Sequence, residues 1–241
     1  MAAPIRRPLI LGHRGARREA PENTIPAFRR ALELGADGVE LDARLTADGA
    51  VIVLHDDDLG RTTNGSGRAD RLTLEQIQRF DAAGPWGPTF AGTHVPTLAE
   101  VLEVLRSARL VNVELKGPDK DSGLERRVLE VVRAAGMVSQ TVFSSFSVSH
   151  LRRLRQLDGQ IALALLFGAR LFHPTPWALA EELRLEAIHP SRSAVSARLV
   201  RQAHARGLRV RVWTVNEAAE ARRMQAWDID GIISDEPSKI V

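Results

Sequence analysis

Eight short apolar runs recur along the 241-residue chain, and between most of them lies an amphipathic stretch with helix signals. The runs are LILG (9–12), GVELD (38–42), LVNVEL (110–115), TVFSSF (141–146), IALALL (161–166), EAIHP (186–190), RVRVWTV (209–215) and DGIISD (230–235). Short β-branched strands separated by helices pair in parallel, because each crossover helix returns the chain to the same end of the sheet. Eight such units in this length predict a (β/α)8 barrel, with an open doubly wound sheet as the runner-up.

The intervening segments carry their own punctuation. Thr97 and Glu100 form a capping box ahead of Leu98, Val101, Leu102 and Leu105 at helical spacing. Thr24 precedes IPAFRRALELG, with proline in the first turn and Gly35 at the end. Asn216 is expected to cap EAAEARRMQ, and SARLVRQAHARG to end on Gly207. With no short-period repeat and no low-complexity linker, residues 1–241 are expected to form a single domain.

One segment breaks the rhythm. Asp48-Gly49, flanked by extended residues, predicts a two-residue hairpin turn. With Ala47 opposite Ala50, counting back sets His55 opposite Asp42 and on its face. Residues 57–96, rich in Gly, Thr and Pro and including GPWGPTF (84–90), then read as an insertion over the site, a lid or substrate pocket.

Glu40 and Asp42 stand two apart in GVELDAR (38–44), so a strand aims both at one spot. Val39 and Leu41 place the opposite face in apolar packing. Burying like charges together is unfavourable unless something holds them. In a barrel of this kind the C-terminal strand ends converge. They bring Glu40, Asp42 and Glu114 together with His13, His55, Arg14 and Lys116. Oxygen ligands in a chain without cysteine favour Mg2+, Ca2+ or Mn2+, and two histidines without a third disfavour zinc. Arg14 can hydrogen-bond a phosphate bidentately and Lys116 adds a point charge. His13 and His55 titrate near neutrality, as an acid–base pair requires.

Other residues carry two readings. Glu22 and Asn23 are either a helix-start signal or support for Arg14, and Trp213 is core or pocket wall. Arg44, in the phase of Glu40 and Asp42, either pairs with those carboxylates or leaves the barrel rim. Asp56, Asp57 and Asp58 read as solvated turn residues, and Asp235, at a strand end, is open. His94, His150, His173, His189 and His204 read as structural or surface residues.

Charge narrows the partners. The net charge is +3, with 30 arginines spread over helix-like segments against three lysines. That spread argues against nucleic acid, which favours a basic patch interleaved with aromatics. The apolar run near the N-terminus is too short for a signal-peptide core, and IALALLFGA (161–169) is too short to span a membrane. The expectation is a soluble, cytoplasmic protein acting on a small molecule, with no stable membrane insertion and an unspecified oligomeric state.

Taken together, GHRGARREAPENT (12–24), GVELDARLTADGAVIVLHDDDLGRTTNGSG (38–67), VPTLAEVL (95–102), NVELKG (112–117), SSFS (144–147), VWTVNE (212–217) and DGIISDEP (230–237) resemble the glycerophosphodiester phosphodiesterase family. The resemblance implies a TIM barrel with a segment inserted after the second strand and one divalent cation, usually Ca2+ or Mg2+. It implies hydrolysis of glycerophosphodiesters to an alcohol and sn-glycerol 3-phosphate, by a cyclic-phosphate or a direct water route. Carried over by motif, Glu40, Asp42 and Glu114 would be metal ligands, His13 and His55 the acid–base pair, and Arg14 and Lys116 phosphate contacts. A lysophospholipase D or sphingomyelinase D-like enzyme would need an apolar groove for its lipid, and the insertion offers only Trp86 and Phe90. A non-catalytic barrel binding a phosphorylated ligand would have lost one of these carboxylates or histidines, and none is missing.

Overall fold

Eight parallel strands close on themselves in a computed structural model that describes residues 7–169 and 176–240. Residues 1–6 of the N-terminal stretch, and His173, lie outside the described residues. The barrel strands are β1 (Leu9–His13), β2 (Gly38–Leu45), β4 (Leu110–Leu115), β5 (Thr141–Ser145), β6 (Ala162–Phe167), β7 (Ala187–Pro190), β8 (Arg209–Val212) and β9 (Gly231–Ser234). Each pairs in parallel with its neighbour, and the β1 pairings with both β9 and β2 complete the ring. The fold is the TIM barrel expected from the alternating pattern, and the open sheet is excluded by that closure.

Helices fill the crossovers: α1 (Ile25–Glu33), α3 (Leu98–Val104), α4 (Leu124–Ala134), α5 (Val148–Leu157), α6 (Pro176–Glu182), α7 (Ala197–His204) and α8 (Ala218–Gln225). The short α2 (Leu74–Gln78) belongs to the insertion. Thr24 and Thr97 cap α1 and α3 as their positions predict, and Glu100 completes the α3 box. Asn216 does not cap α8. Glu217 occupies that position without a side-chain bond, because the Asn216 amide is engaged with Asp235.

Strand alternation decides what faces the site. Val39, Leu41 and Ala43 are fully buried in the layer between barrel and helices, so Glu40 and Asp42 point inward. On β4, Val111, Val113 and Leu115 pack outward in the same way and turn Asn112 and Glu114 inward. Burying each such aliphatic side chain contributes about 2 kcal/mol, and a one-residue slip would forfeit the whole set.

The hairpin differs from the sequence count by one residue. Strand β3 (Val51–Val53) sets Ala43 opposite Val53, so Leu54, and not His55, falls opposite Asp42. The loop holds three residues, 47–49: Thr46 N donates to Ala50 O at 3.0 Å, and Gly49 takes a left-handed φ of 79°. In a continued ladder this slip would turn His55 away from Asp42. The strand ends at Val53, however, and the chain leaves the pleat. Arg44 then fixes where it goes: Nε and Nη2 donate to the His55 carbonyl at 3.0 and 2.6 Å, and Nη1 pairs with Asp57 at 2.5 Å. Arg44 therefore anchors the turn that delivers His55, and neither pairs with Glu40 and Asp42 nor simply leaves the rim.

The insertion has a small core of its own, in which Leu54, Leu59, Ala69, Ile77, Ala82 and Val95 pack on Ile52. It returns to the barrel where Val53 N donates to Pro96 O at 2.9 Å. Trp86 and Phe90 pack edge to face with ring centroids 5.7 Å apart.

Candidate active site

The C-terminal strand ends enclose a cavity of about 350 Å³ lined by His13, Arg14, Glu40, His55, Asn112, Glu114, Lys116, Phe146, Leu166, Trp213, Thr214 and Ile233. Asp42, in register with Glu114 across β2 and β4, is fully buried beside them. Of the residues expected to converge, all seven therefore meet, and Trp213 forms wall. Trp86 and Phe90 of the insertion do not line this cavity.

Local geometry explains each placement. After β1 the chain turns sharply, with Arg14 at φ 56° and Gly15 at φ 85°. A Cβ on Gly15 would lie 2.6 Å from the Ala27 backbone, so only glycine lets this turn rest against α1. Arg14 N donates to the Glu40 carbonyl at 2.9 Å and to Glu40 Oε2 at 3.0 Å, tying the turn to β2. Arg14 Nη1 donates to Glu22 Oε1 at 2.9 Å, and Nε stands 3.3 Å from Asp42 Oδ2. Glu22 thus supports Arg14. Asn23 supports a different residue: its Nδ2 donates to Asp42 Oδ2 at 2.8 Å.

One oxygen from each of Glu40, Asp42 and Glu114 falls within 4.8 Å of the others, with all three residues buried. Burial raises Glu40 well above the ordinary carboxylate range, and the neighbouring Asp42 and Glu114 add to it. Burial and then Asp42 push Glu114 up to about 7. Burial opposes the charge on Asp42 too, yet Lys116 and Arg14 hold it below its ordinary value. Lys116 Nζ contacts Glu114 Oε1 at 2.6 Å and stands 3.5 Å from Asp42 Oδ1, which accepts no hydrogen bond. Three converging carboxylates with an unpartnered oxygen form an all-oxygen donor set suited to a hard divalent cation.

Each histidine is held from behind by a carboxylate. Although burial opposes ionisation, the hydrogen bond and charge of His13 bring Asp235 down to about 2, and Arg61 and His55 bring Asp56 to about 2. Ionised carboxylates only accept, so His13 Nδ1 donates to Asp235 Oδ1 and His55 Nδ1 donates to Asp56 Oδ1, each at 2.6 Å. That leaves Nε2 of each ring unprotonated when the ring is neutral. His13 Nε2 lies 3.9 Å from Glu40 Oε2. Burial lowers both histidines from their ordinary value, offset in part by Asp235 at His13 and by Asp42 at His55.

The other described histidines lie elsewhere. His189 is buried inside the barrel beside Arg211, which forks onto Glu186 at 2.9 and 3.0 Å. His150 bonds Glu125 between α4 and α5, His204 Nε2 contacts Asp230 at 2.9 Å, and His94 is exposed near Glu100. Asp57 and Asp58 are exposed, but not merely solvated: Asp57 pairs with Arg44 and Arg68, and Asp58 forms a backbone β-bridge to Arg68 and accepts from Gly60 N at 2.8 Å.

Several participants were not picked out from sequence. Asp56 read as a solvated turn residue, although its position directly after His55 was the available signal. Arg61 had no local signal. From the insertion it grips Glu22 with Nη2 at 2.7 Å and Nη1 at 3.0 Å, while its Nε holds Asp56. Asn216 Nδ2 donates to Asp235 Oδ2 at 2.9 Å. Phe146 meets Trp213 edge to face with centroids 5.4 Å apart and Lys116 Nζ 5.8 Å from its ring centre.

Comparison with known proteins matches residues 13–239 to the glycerophosphoryl diester phosphodiesterase family. A glycerophosphodiester phosphodiesterase from Caldanaerobacter subterraneus is 37% identical over 235 residues, covering 97% of this chain and 96% of the relative. A crystal structure of a glycerophosphodiester phosphodiesterase from Agrobacterium tumefaciens aligns with TM-score 0.85 at 32% identity, covering 97% of this chain and 98% of that one. An Oleispira antarctica phosphodiesterase, solved with the product sn-glycerol-3-phosphate, aligns with TM-score 0.85 at 30% identity over 97% of this chain and 95% of its own.

Proposed function

Since this chain belongs to the glycerophosphoryl diester phosphodiesterase family, we propose that its site cleaves glycerophosphodiesters to an alcohol and sn-glycerol 3-phosphate with the help of a divalent cation. The observation that carries this reading is the convergence of Glu40, Asp42 and Glu114 beside two histidines, each backed by a carboxylate. Glu40, Asp42 and Glu114 hold the cation, Mg2+ or Ca2+, and Mn2+ fits the same donors. When bound, it supplies Lewis-acid stabilisation of charge on the phosphoryl oxygens.

The chain's own residues do the rest. Arg14, clamped by Glu22, presents a fixed guanidinium to the phosphate, and Lys116 adds a positive charge across Asp42. Lowered histidine pKa values keep an unprotonated ring available to take a proton from the nucleophile. That nucleophile is either water attacking phosphorus directly or a glycerol hydroxyl that closes a cyclic phosphate for water then to open. The other ring, carrying its own proton, donates it to the alcohol oxygen as the bond from phosphorus to that oxygen breaks. Asp235 and Asp56 orient the rings and stabilise the imidazolium as it forms. Phe146 and Trp213 shape an aromatic side of the cavity.

A water-soluble diester is the preferred substrate class. Phe146 is the large hydrophobic side chain exposed among the described residues, which supports a water-soluble diester over one that carries an acyl chain. We further propose one catalytic unit over residues 1–241, with the insertion serving the barrel site. The test is product identification. Glycerophosphocholine should yield sn-glycerol 3-phosphate and choline, His13→Ala and His55→Ala should abolish turnover in folded protein, and lysophosphatidylcholine should be a much poorer substrate. Full activity in folded His13→Ala would refute the assignment.

A further inference from the structure

Asn112 is the unexplained residue of the cavity. It lies inward on β4, in register with Glu40 of β2, and two positions before Glu114 on the same face. It is fully buried, it lines the cavity with His13, Glu40 and Glu114, and neither its Nδ2 nor its Oδ1 has a hydrogen-bond partner. Buried amides are almost always satisfied, and this one has no protein partner and lines the cavity, so its partner comes from the cavity itself: solvent in the free site, and the ligand that displaces it.

The chemistry of that partner follows from the amide itself. Nδ2 donates and Oδ1 accepts, and both are unused, so the conclusion does not depend on which way the amide is turned. A phosphoryl oxygen accepts only, and would leave Oδ1 facing negative charge. A cation would occupy Oδ1 and leave Nδ2 unmet. An alcohol hydroxyl both donates and accepts, and satisfies the pair.

We propose that the Asn112 carboxamide binds a hydroxyl of the substrate's glycerol moiety and so selects glycerol over other groups esterified to the phosphate. This rests on the glycerophosphodiesterase reading above and deepens it. Arg14 and Lys116 recognise charge, which every phosphodiester carries, whereas Asn112 recognises a feature that only some possess. Sites built to hydrogen-bond a hydroxyl reject analogues lacking it far more strongly than apolar pockets reject an extra group.

Binding of sn-glycerol 3-phosphate and of n-propyl phosphate, which has the same carbon chain without hydroxyls, tests this directly. Both would be titrated by calorimetry into Ca2+-saturated wild type, Asn112→Leu and Asn112→Ala, the alanine variant covering any overpacking by leucine. The expected result is a loss of about 10-fold or more in sn-glycerol 3-phosphate affinity in both variants, with propyl phosphate changed by less than about twofold. The melting temperature of at least one variant should stay close to that of wild type, because the amide bonds no protein group. An equal loss for both ligands would overturn the proposal and make Asn112 a support for Glu40. Unchanged affinity for both would overturn it too. If wild type itself neither binds sn-glycerol 3-phosphate nor releases it from any diester, the parent reading fails, a result distinct from either of these.

Discussion

Asp235 Oδ1 lies 2.6 Å from His13 Nδ1 although 222 residues separate the two in the chain. Closure of the barrel makes that contact: β9 pairs β1 in parallel, Gly12 beside Ser234, so the residues that follow these strands meet at the rim. Asn216, arriving from the end of β8, holds the other Asp235 oxygen and its backbone N–H. His13 therefore has a fixed ring orientation and a fixed tautomer.

Removing that anchor while keeping its shape should leave binding intact and slow the chemistry. Asp235→Asn is expected to lower kcat by about 10–100-fold with little change in KM, and Asp56→Asn to do the same at His55. Steady-state kinetics on glycerophosphocholine, with circular dichroism to verify folding, would measure this. A rise in KM with kcat unchanged would make these carboxylates substrate contacts and not ring anchors.

Arg61 links both halves of the site through Glu22, which holds Arg14, and Asp56, which holds His55. Arg61→Ala should reduce kcat/KM by about 10-fold through positioning alone. Arg68→Ala, which removes an exposed cation that pairs with Asp57 and Asp70, should change it by less than about twofold. Equal effects from the two substitutions would remove the positioning role assigned to the insertion.

The extent to which sequence foretold this site depends on the distance over which each signal acts. Strand and helix positions were legible because hydrophobic periodicity and capping are local: Thr97 with Glu100, or Val39 and Leu41 around Glu40, carry their own instructions. The hairpin register differs by one from the two-residue turn that Asp48-Gly49 predicts, because that pair is compatible with loops of two or three residues and Thr46 closes the longer one. Asn216 looked like a cap because no local pattern announces Asp235 across the closing strands. The Arg61 bridge depends on how the insertion folds back over the rim, which no period in the sequence encodes.

Acid stability should report the carboxylates that hold the rim. Arg61 and Arg14 bring Glu22 down to about 2 against the opposing effect of burial, as the His13 bond brings Asp235 to about 2. A carboxylate depressed on folding stabilises above its unfolded value and loses that contribution as pH falls through its folded value. Stability should therefore decline between about pH 4.5 and 2. Glu22→Gln should cost on the order of 2 kcal/mol at pH 7, with the difference from wild type vanishing near pH 2. Denaturant melts across pH measure both, and a difference independent of pH would refute the assignment.

Glu40 and Glu114 have the opposite sign. Their pKa values are raised on folding, so their contribution is present below about 4.5 and is lost as pH rises through the folded values, about 7 for Glu114. Chelated protein should therefore lose stability from pH 5 to 8, and Ca2+ or Mg2+ should raise its melting temperature more at pH 8 than at pH 5. Cation uptake near neutrality should release protons, measurable by calorimetry in buffers of different ionisation enthalpy. An equal thermal shift at both pH values would contradict a cation held by these carboxylates.

The central claim is a cation-dependent cleavage of glycerophosphodiesters at this one site, and release of sn-glycerol 3-phosphate with and without chelator tests it most directly. Glycerophosphocholine, glycerophosphoethanolamine and glycerophosphoinositol would each be assayed with EDTA, and then with Mg2+ or Ca2+ restored. The account predicts turnover that disappears with EDTA, returns with the cation, and is absent throughout in Glu114→Gln. Undiminished turnover in EDTA, or no sn-glycerol 3-phosphate from any of the three diesters with cation present, would contradict it.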